Sequence, residues 1–283
     1  MQLRKQTLSI FLGVSLAAAC YAQAPTITSF NPSLSAVGLP VYIAGTNFTG
    51  ATSVTFDGKK APFLVDSPEL IVALVPLAAS NGLVKVTTPS GTATSSQPYD
   101  IVSTSWDAVQ NFSTTVNPNG AWTYGSEPSL DGAFTPFAAI INCSTDLPCW
   151  YNGGSFPNSA ALAIDTSLYT LHYATVIVPT NMLYLSPENN AVVLRWTSPA
   201  AGKYWIFGQF QGLDLSLPTV TVAIYEDQTT ALFSNSLTFF GDYQDFNISG
   251  LTLKKGTTID FVVTSTDASN DNVGLTATID LIK

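Results

Sequence analysis

From about residue 25 onward, the chain is a succession of short runs rich in Val, Ile, Thr, Phe and Tyr. Gly, Pro, Asn, Asp and Ser separate them, and no long run carries apolar residues at helical spacing. A pattern of period two buries its apolar side only when sheets stack, so it predicts an all-β protein. Composition narrows the class. Of 283 residues, 46% are hydrophobic, 11% aromatic and only 10% charged, the opposite of a disordered chain. The formal net charge of −9, with ten scattered Lys and Arg, leaves no footprint for phosphates and excludes nucleic acid as a partner. The length suits one or two domains, each with its own core.

Residues 1–22 have the pattern of a signal peptide. Arg4 and Lys5 supply the positive start, and Leu8 to Ala19 forms an apolar run too short to span a bilayer. Cys20 and Ala22 supply small side chains at −3 and −1 for a cut before Gln23. Cys20 as a lipidated first residue is disfavoured, because Leu16 stands one place too early for that motif and Ala17 occupies the Leu position. No later stretch has the roughly 20 apolar residues of a membrane span. The protein is expected to be secreted or held at the cell surface. In an oxidising compartment Cys143 and Cys149, in CSTDLPC, read as a disulfide. A metal would need more Cys or His ligands nearby, and the sole histidine is His172.

The first block covers residues 24–102. PTITSFNPS opens it as an edge strand marked by Pro25 and Pro32. In VYIAGTNF, Val41 and Ile43 alternate with Tyr42 and Ala44. SVTFDGKKAPFLV reads as a hairpin that turns at Asp57-Gly58 and returns through Phe63 and Val65, and a second hairpin turns at Pro89-Ser90-Gly91. Gly45 permits a bend or a close backbone approach, and Phe48 and Phe56 suit a small core. These pieces suit an immunoglobulin-like β-sandwich. In this order, PTITSFNPS, GTNF, SVTFDG, ELIVALVP and VKVTTPSGTATS resemble the IPT/TIG domain, the immunoglobulin-like module of plexins, some transcription factors and many bacterial surface proteins. The resemblance implies a fold and a spacer or binding role, with no catalytic set.

The second block covers residues 103–283. Its clearer strands are AVVLRWTSP, KYWIFGQFQGL, TVTVAIYED, ALFSNSLTF, DFNISGLTLKKGTTIDFVVTST and GLTATIDLI. In KYWIFGQF one side carries Tyr204, Ile206 and Gly208, and the other Trp205, Phe207 and Gln209. Both faces are largely apolar, as expected where sheets pack closely, so Trp196 and Trp205 are expected in the core. Residues 135–180 look irregular. The block suits a jelly-roll-like β-sandwich whose first and last strands pair. NPNGAWTYG, VVLRWTSPAAGKYWIFGQFQG and GLTLKKGTTIDFVV resemble a jelly-roll module of secreted bacterial proteins, many of which carry C-terminal sorting tails. The block ends on IDLIK without that tail.

Catalytic patterns are weak. There is no G-x-S-x-G elbow, and His172 in YTLHYATV reads as an ordinary strand residue. Glu127, Glu188 and Glu226 and the turn aspartates form no paired pattern on one strand. TDASNDNVG offers Asp267, Asn270, Asp271 and Asn272 as oxygen donors, which Asp107 could join if first and last strands pair. A structural calcium is one reading of this cluster, and an Asn/Asp-rich turn is the other. No other cofactor is expected.

Sugar recognition would use exposed aromatic faces beside polar groups. Two clusters are candidates, Trp150 with Tyr151 on the bridged loop and Trp122 with Tyr124 in NPNGAWTYG. A bridged loop would hold its rings at low entropy cost, and core packing is the competing reading for both pairs. The sequence therefore predicts a secreted, non-catalytic binding or adhesion protein for extracellular polysaccharide or another cell-surface component. The first block would be the spacer. A glycoside hydrolase with an unrecognised carboxylate pair, or a structural envelope or matrix component, are the alternatives.

Overall fold

The computed structural model describes residues 23–129, 132–153, 159–188, 190–266 and 269–282. Residues 1–22, which carry the expected signal peptide and Cys20, and Asp267 lie outside the described residues. The elements of the described residues are strands, and among those residues no helix is long and apolar enough to cross a membrane. The chain divides into two units, the first ending at Tyr99 and the second running from Asp100.

The first unit is an antiparallel sandwich. One sheet has the order Thr26–Asn31, Pro40–Thr46, Leu70–Leu74, Phe63–Ser67. The other pairs Lys59–Lys60, Ser53–Phe56 and Gly82–Thr88, and the last of these pairs with residues 91–99. Alternation decides what is buried: Val41 and Ile43 are fully buried while Tyr42 between them is exposed. Val54, Phe56, Val84 and Val86 of the other sheet are buried as well. Tyr99 closes this core edge-on to Phe30 and Phe56 and donates its hydroxyl hydrogen to Ser35 Oγ. Pro25 and Pro32 flank the edge strand. Asp57 and Gly58 both take positive φ, as a two-residue hairpin turn demands.

One expectation needs correction. The Asp57-Gly58 hairpin returns only as Lys59–Lys60, and Phe63–Ser67 belongs to the opposite sheet, paired with Leu70–Leu74. Pro62 lacks the N–H that would continue the ladder, so the chain changes sheets there.

The second unit also stacks two sheets. The first has the order Thr135–Pro136, Trp122–Glu127, Ala191–Thr197, Thr258–Ser265, Val220–Glu226, Thr230–Leu237. The second runs Ala139–Ser144, Leu147–Tyr151, Ala161–Ile164, Leu183–Ser186, Val273–Ile282. Val273–Ile282 pairs along its length with Gly202–Gly212, which pairs in turn with the edge strand Tyr243–Leu253. Residues 102–107 also pair with Val273–Ile282, so first and last strands of the unit meet as a jelly roll requires. Trp122, Trp196, Tyr204, Phe210 and Phe261 fill the space between the sheets.

Residues 135–180 are not irregular. Their described residues hold strands of two to six residues, too short for alternation to show in sequence: Ala139–Ser144, Leu147–Tyr151 and Ala161–Ile164 extend the second sheet, Thr135–Pro136 joins the first, and Leu171–Tyr173 pairs with Val176–Val178. Cys143 and Cys149 are bonded with Cα atoms 5.8 Å apart, across a hairpin that turns at Asp146. The bridge packs with Val176, Val178, Tyr184 and Leu213 in a small cluster on the outer side of the second sheet. On the outer side of the first sheet, Arg195 makes two 2.7 Å bonds to Asp260 and lies over the Phe134 ring.

Gly45 gives a direct test of the first unit. A Cβ there would overlap the Thr26 carbonyl oxygen of the neighbouring strand. Gly45→Ala is expected to cost about 1–3 kcal/mol, as overpacking does, read as a lowered urea midpoint. An unchanged midpoint would contradict the packing described.

Candidate functional site

The strand Gly202–Gly212 feeds two surfaces. Tyr204, Ile206 and Phe210 point into the core and are fully buried. Trp205, Phe207, Gln209 and Gln211 project from the other face, each partly exposed. The core expectation thus holds for Trp196 and fails for Trp205. Close sheet packing covers only one face of this strand. The outer face is capped where Val176 and Val178 sit on Tyr184 and Leu213, and Trp205 and Phe207 lie outside that cluster.

Registers across three strands place the neighbours. Phe207 lies between Asn247 and Thr278, Gln209 between Asp245 and Thr276, and Gln211 between Tyr243 and Gly274. The Trp205 and Phe207 rings stand 4.3 Å apart at 35°. The Trp205 indole N–H donates to Asn247 Oδ1 at 2.7 Å, which fixes the ring plane. Gln209 Nε2 donates to Asp245 Oδ1 at 2.9 Å. A groove of about 530 Å³ follows, lined by Asn181, Phe207, Gly208, Gln209, Asp245 and Asn247 among others. Gly208 leaves no room for a side chain, because an added Cβ would overlap the Thr276 carbonyl oxygen of the neighbouring strand. Such a surface offers apolar ring faces beside amide and carboxylate groups, within the size range of small-molecule sites.

Asp280 lies opposite Trp205 in the register. It is 6% exposed, and its Oδ1 has no hydrogen-bond partner among the described residues. Burial holds its carboxyl above the ordinary value, against a hydrogen bond with Ser105 that pulls it down.

The aromatics singled out in the sequence sit elsewhere. Trp122 is buried at 1% exposure, against Phe261. Tyr124 is fully buried, stacked on Trp150 at 6.1 Å, and burial pushes its hydroxyl up to about 12. Trp150 is buried at 6% exposure, and its indole N–H donates to the Ser113 carbonyl at 2.7 Å. The Ser113 N–H donates to the Tyr124 hydroxyl, so one loop residue ties both rings together. These three rings belong to the core and present no face to solvent. Tyr151 is half-buried against the disulfide cluster. The groove had one legible signal: Trp205 and Phe207 share their side of the strand with Gln209 and Gln211, an amide pair that suits a wet face.

Asp107 does not join the other oxygen-rich residues. Asp107 lies opposite Thr278, five strand residues from Val273 and so roughly 16 Å along the sheet from where Asp271 ends its turn. Asp107 Oδ1 accepts the Val109 and Gln110 N–H groups, which shapes its own turn. Asp271 is fully buried. Asn272 accepts a hydrogen bond from the Tyr184 hydroxyl and donates to Asp214 at 3.0 Å. Among the described residues no three of His, Cys, Asp and Glu gather into a metal cluster. His172 is an exposed strand residue.

Residues 25–102 match the family model described as IPT/TIG domain. No curated protein matches the chain. Among solved structures, the chain is similar to SGBP-B from a complex xyloglucan utilization locus in Bacteroides uniformis, at 13% identity over 93% of this chain and 73% of that one, with a TM-score of 0.40. It is similar to carbohydrate-binding modules of the β-sandwich superfamily, at 13% identity over 93% and 98%, TM-score 0.34. An auxiliary nutrient binding protein from Bacteroides ovatus aligns at 12% identity over 61% and 54%, TM-score 0.27. All are distant likenesses.

The Asp280 carboxyl predicts a pH effect whose sign is fixed. A native carboxyl raised above its unfolded value holds a proton that the unfolded chain releases. That contribution to stability grows as pH falls below neutral and is lost as pH rises through the raised value. Asp280→Asn should flatten the dependence of the melting temperature on pH between about pH 4 and 7. Scanning calorimetry across that range, with identical slopes for both proteins, would refute it.

Proposed function

We propose that this is a secreted, non-catalytic carbohydrate-binding protein that takes its ligand on the groove of the second unit, with the IPT/TIG-like block as spacer. The observation that carries the reading is the Trp205–Phe207 pair, held open to solvent beside Asn247, Gln209 and Asp245. The C–H faces of a pyranose lie on aromatic rings, and its hydroxyls exchange hydrogen bonds with amides and carboxylates. Rings locked before binding lose little entropy on binding, and the bond from the Trp205 indole to Asn247 supplies that lock. Arg4, Lys5 and the apolar run Leu8 to Ala19, together with the Cys143–Cys149 disulfide, support export.

Carboxylate geometry weighs against hydrolysis. Asp245 and Asp280 share the groove face but are separated by four residues along the strands and by two strand spacings. That amounts to roughly 16 Å, beyond the ~5–9.5 Å over which glycosidase carboxyl pairs work. Glu127 and Asp260 are closer, but both are buried and both face Arg195, at 3.6 and 2.7 Å. That arrangement leaves neither carboxyl for a substrate.

Glycan-array screening followed by calorimetric titration tests the reading. The wild-type protein should bind at least one polysaccharide or oligosaccharide. Trp205→Ala and Phe207→Ala should each weaken binding about tenfold or more, equivalent to about 1.4 kcal/mol, with melting temperatures near wild type. A wild-type protein that binds no glycan, or a Trp205→Ala variant that binds as well as wild type, would remove the proposal.

A further inference from the structure

Resting on that carbohydrate reading, we infer that the groove takes an internal stretch of a neutral, linear polysaccharide lying along the strand Gly202–Gly212, rather than a single terminal sugar. The first ground is the spacing of ring contacts. Trp205 and Phe207 stand at one end of the outward row, and Tyr243 stands at the other, directly opposite Gln211. Tyr243 is 58% exposed, far more than a packing role requires. Phe207 and Gln211 are four residues apart, roughly 13 Å at strand rise, which is further than one sugar ring reaches. From Trp205 to Gln211 the row extends about 20 Å.

The second ground is what lies between the rings. Asn247, the Gln209–Asp245 pair and Gln211 form a polar middle. An apolar occupant such as a lipid chain would cover their remaining donors and acceptors without supplying partners, at the cost of burying them. A chain of linked sugars presents hydroxyls to such a middle and C–H faces to both ends.

The third ground is charge. Registers place the exposed Asp245 and the half-buried Asp107 on this face, with Lys203 at the end beyond Trp205. A polyuronate would meet like charge along the groove, whereas a neutral chain meets hydrogen-bond acceptors.

Calorimetric titration with size ladders of neutral gluco-, xylo- and manno-oligosaccharides, and with a galacturonan ladder, tests the inference. In at least one neutral ladder, affinity should climb about tenfold or more from the disaccharide to the chain that spans the row, then level off. Tyr243→Ala should lower the affinity of the long oligosaccharides several-fold and leave the disaccharide unchanged, and Tyr243→Phe should restore the long-chain affinity. A disaccharide that binds as tightly as longer chains overturns the inference. So does a Tyr243→Ala variant that weakens every length equally or none, and so does preferential binding of galacturonan. Length-independent binding that still depends on Trp205 leaves the carbohydrate reading standing. Failure of every ladder to bind the wild-type protein removes both.

Discussion

The second unit depends on the register of its last strand. Val273–Ile282 lies against Gly202–Gly212 along its whole length. Val273, Leu275, Ala277 and Ile279 face the core, and Gly274, Thr276, Thr278 and Asp280 lie on the opposite face, where Thr276 lines the groove. A slip of one residue would exchange the two sets. It would drive a carboxylate and two threonines between the sheets and expose four apolar side chains. The core therefore fixes the groove: the burial that holds the sheets together is what places Thr276, Thr278 and Asp280 beneath the aromatic row.

Local rules break where the groove lies. Two aromatic rings sit half-exposed on a strand, and a buried carboxylate keeps an oxygen without a hydrogen bond among the described residues. Each feature is unfavourable for folding alone, and deviations of this kind concentrate at functional sites. The surrounding structure supplies the compensation. A full aromatic core lies directly beneath the same strand, and bonds from Trp205 to Asn247 and from Gln209 to Asp245 hold the surface side chains in place.

Much of the fold was legible because turn chemistry and alternation are local. The Asp57-Gly58 turn, with both residues at positive φ, and the Cys143–Cys149 bridge follow from neighbouring residues. The crossing at Pro62 and the short strands of residues 135–180 were not legible, since which sheet a strand joins is settled by distant partners. The binding surface was misplaced for a related reason. Trp150 and Tyr151 beside a disulfide resemble a rigid presented loop, yet Ser113, 37 positions away in sequence, draws Trp150 and Tyr124 into one buried stack.

Sequence alone determined that this chain forms strands, where most of them turn, and that Trp205, Phe207, Gln209 and Gln211 share one side of theirs. Period-two alternation assigns residues to two faces without saying which face another layer will cover. Only the tertiary arrangement decided that. The small cluster around Tyr184 and Leu213 caps one stretch of the outer face and leaves Trp205 and Phe207 beyond it. The physical reason is that solvent exposure is set by packing between segments far apart in the chain, and so cannot be read from any one strand.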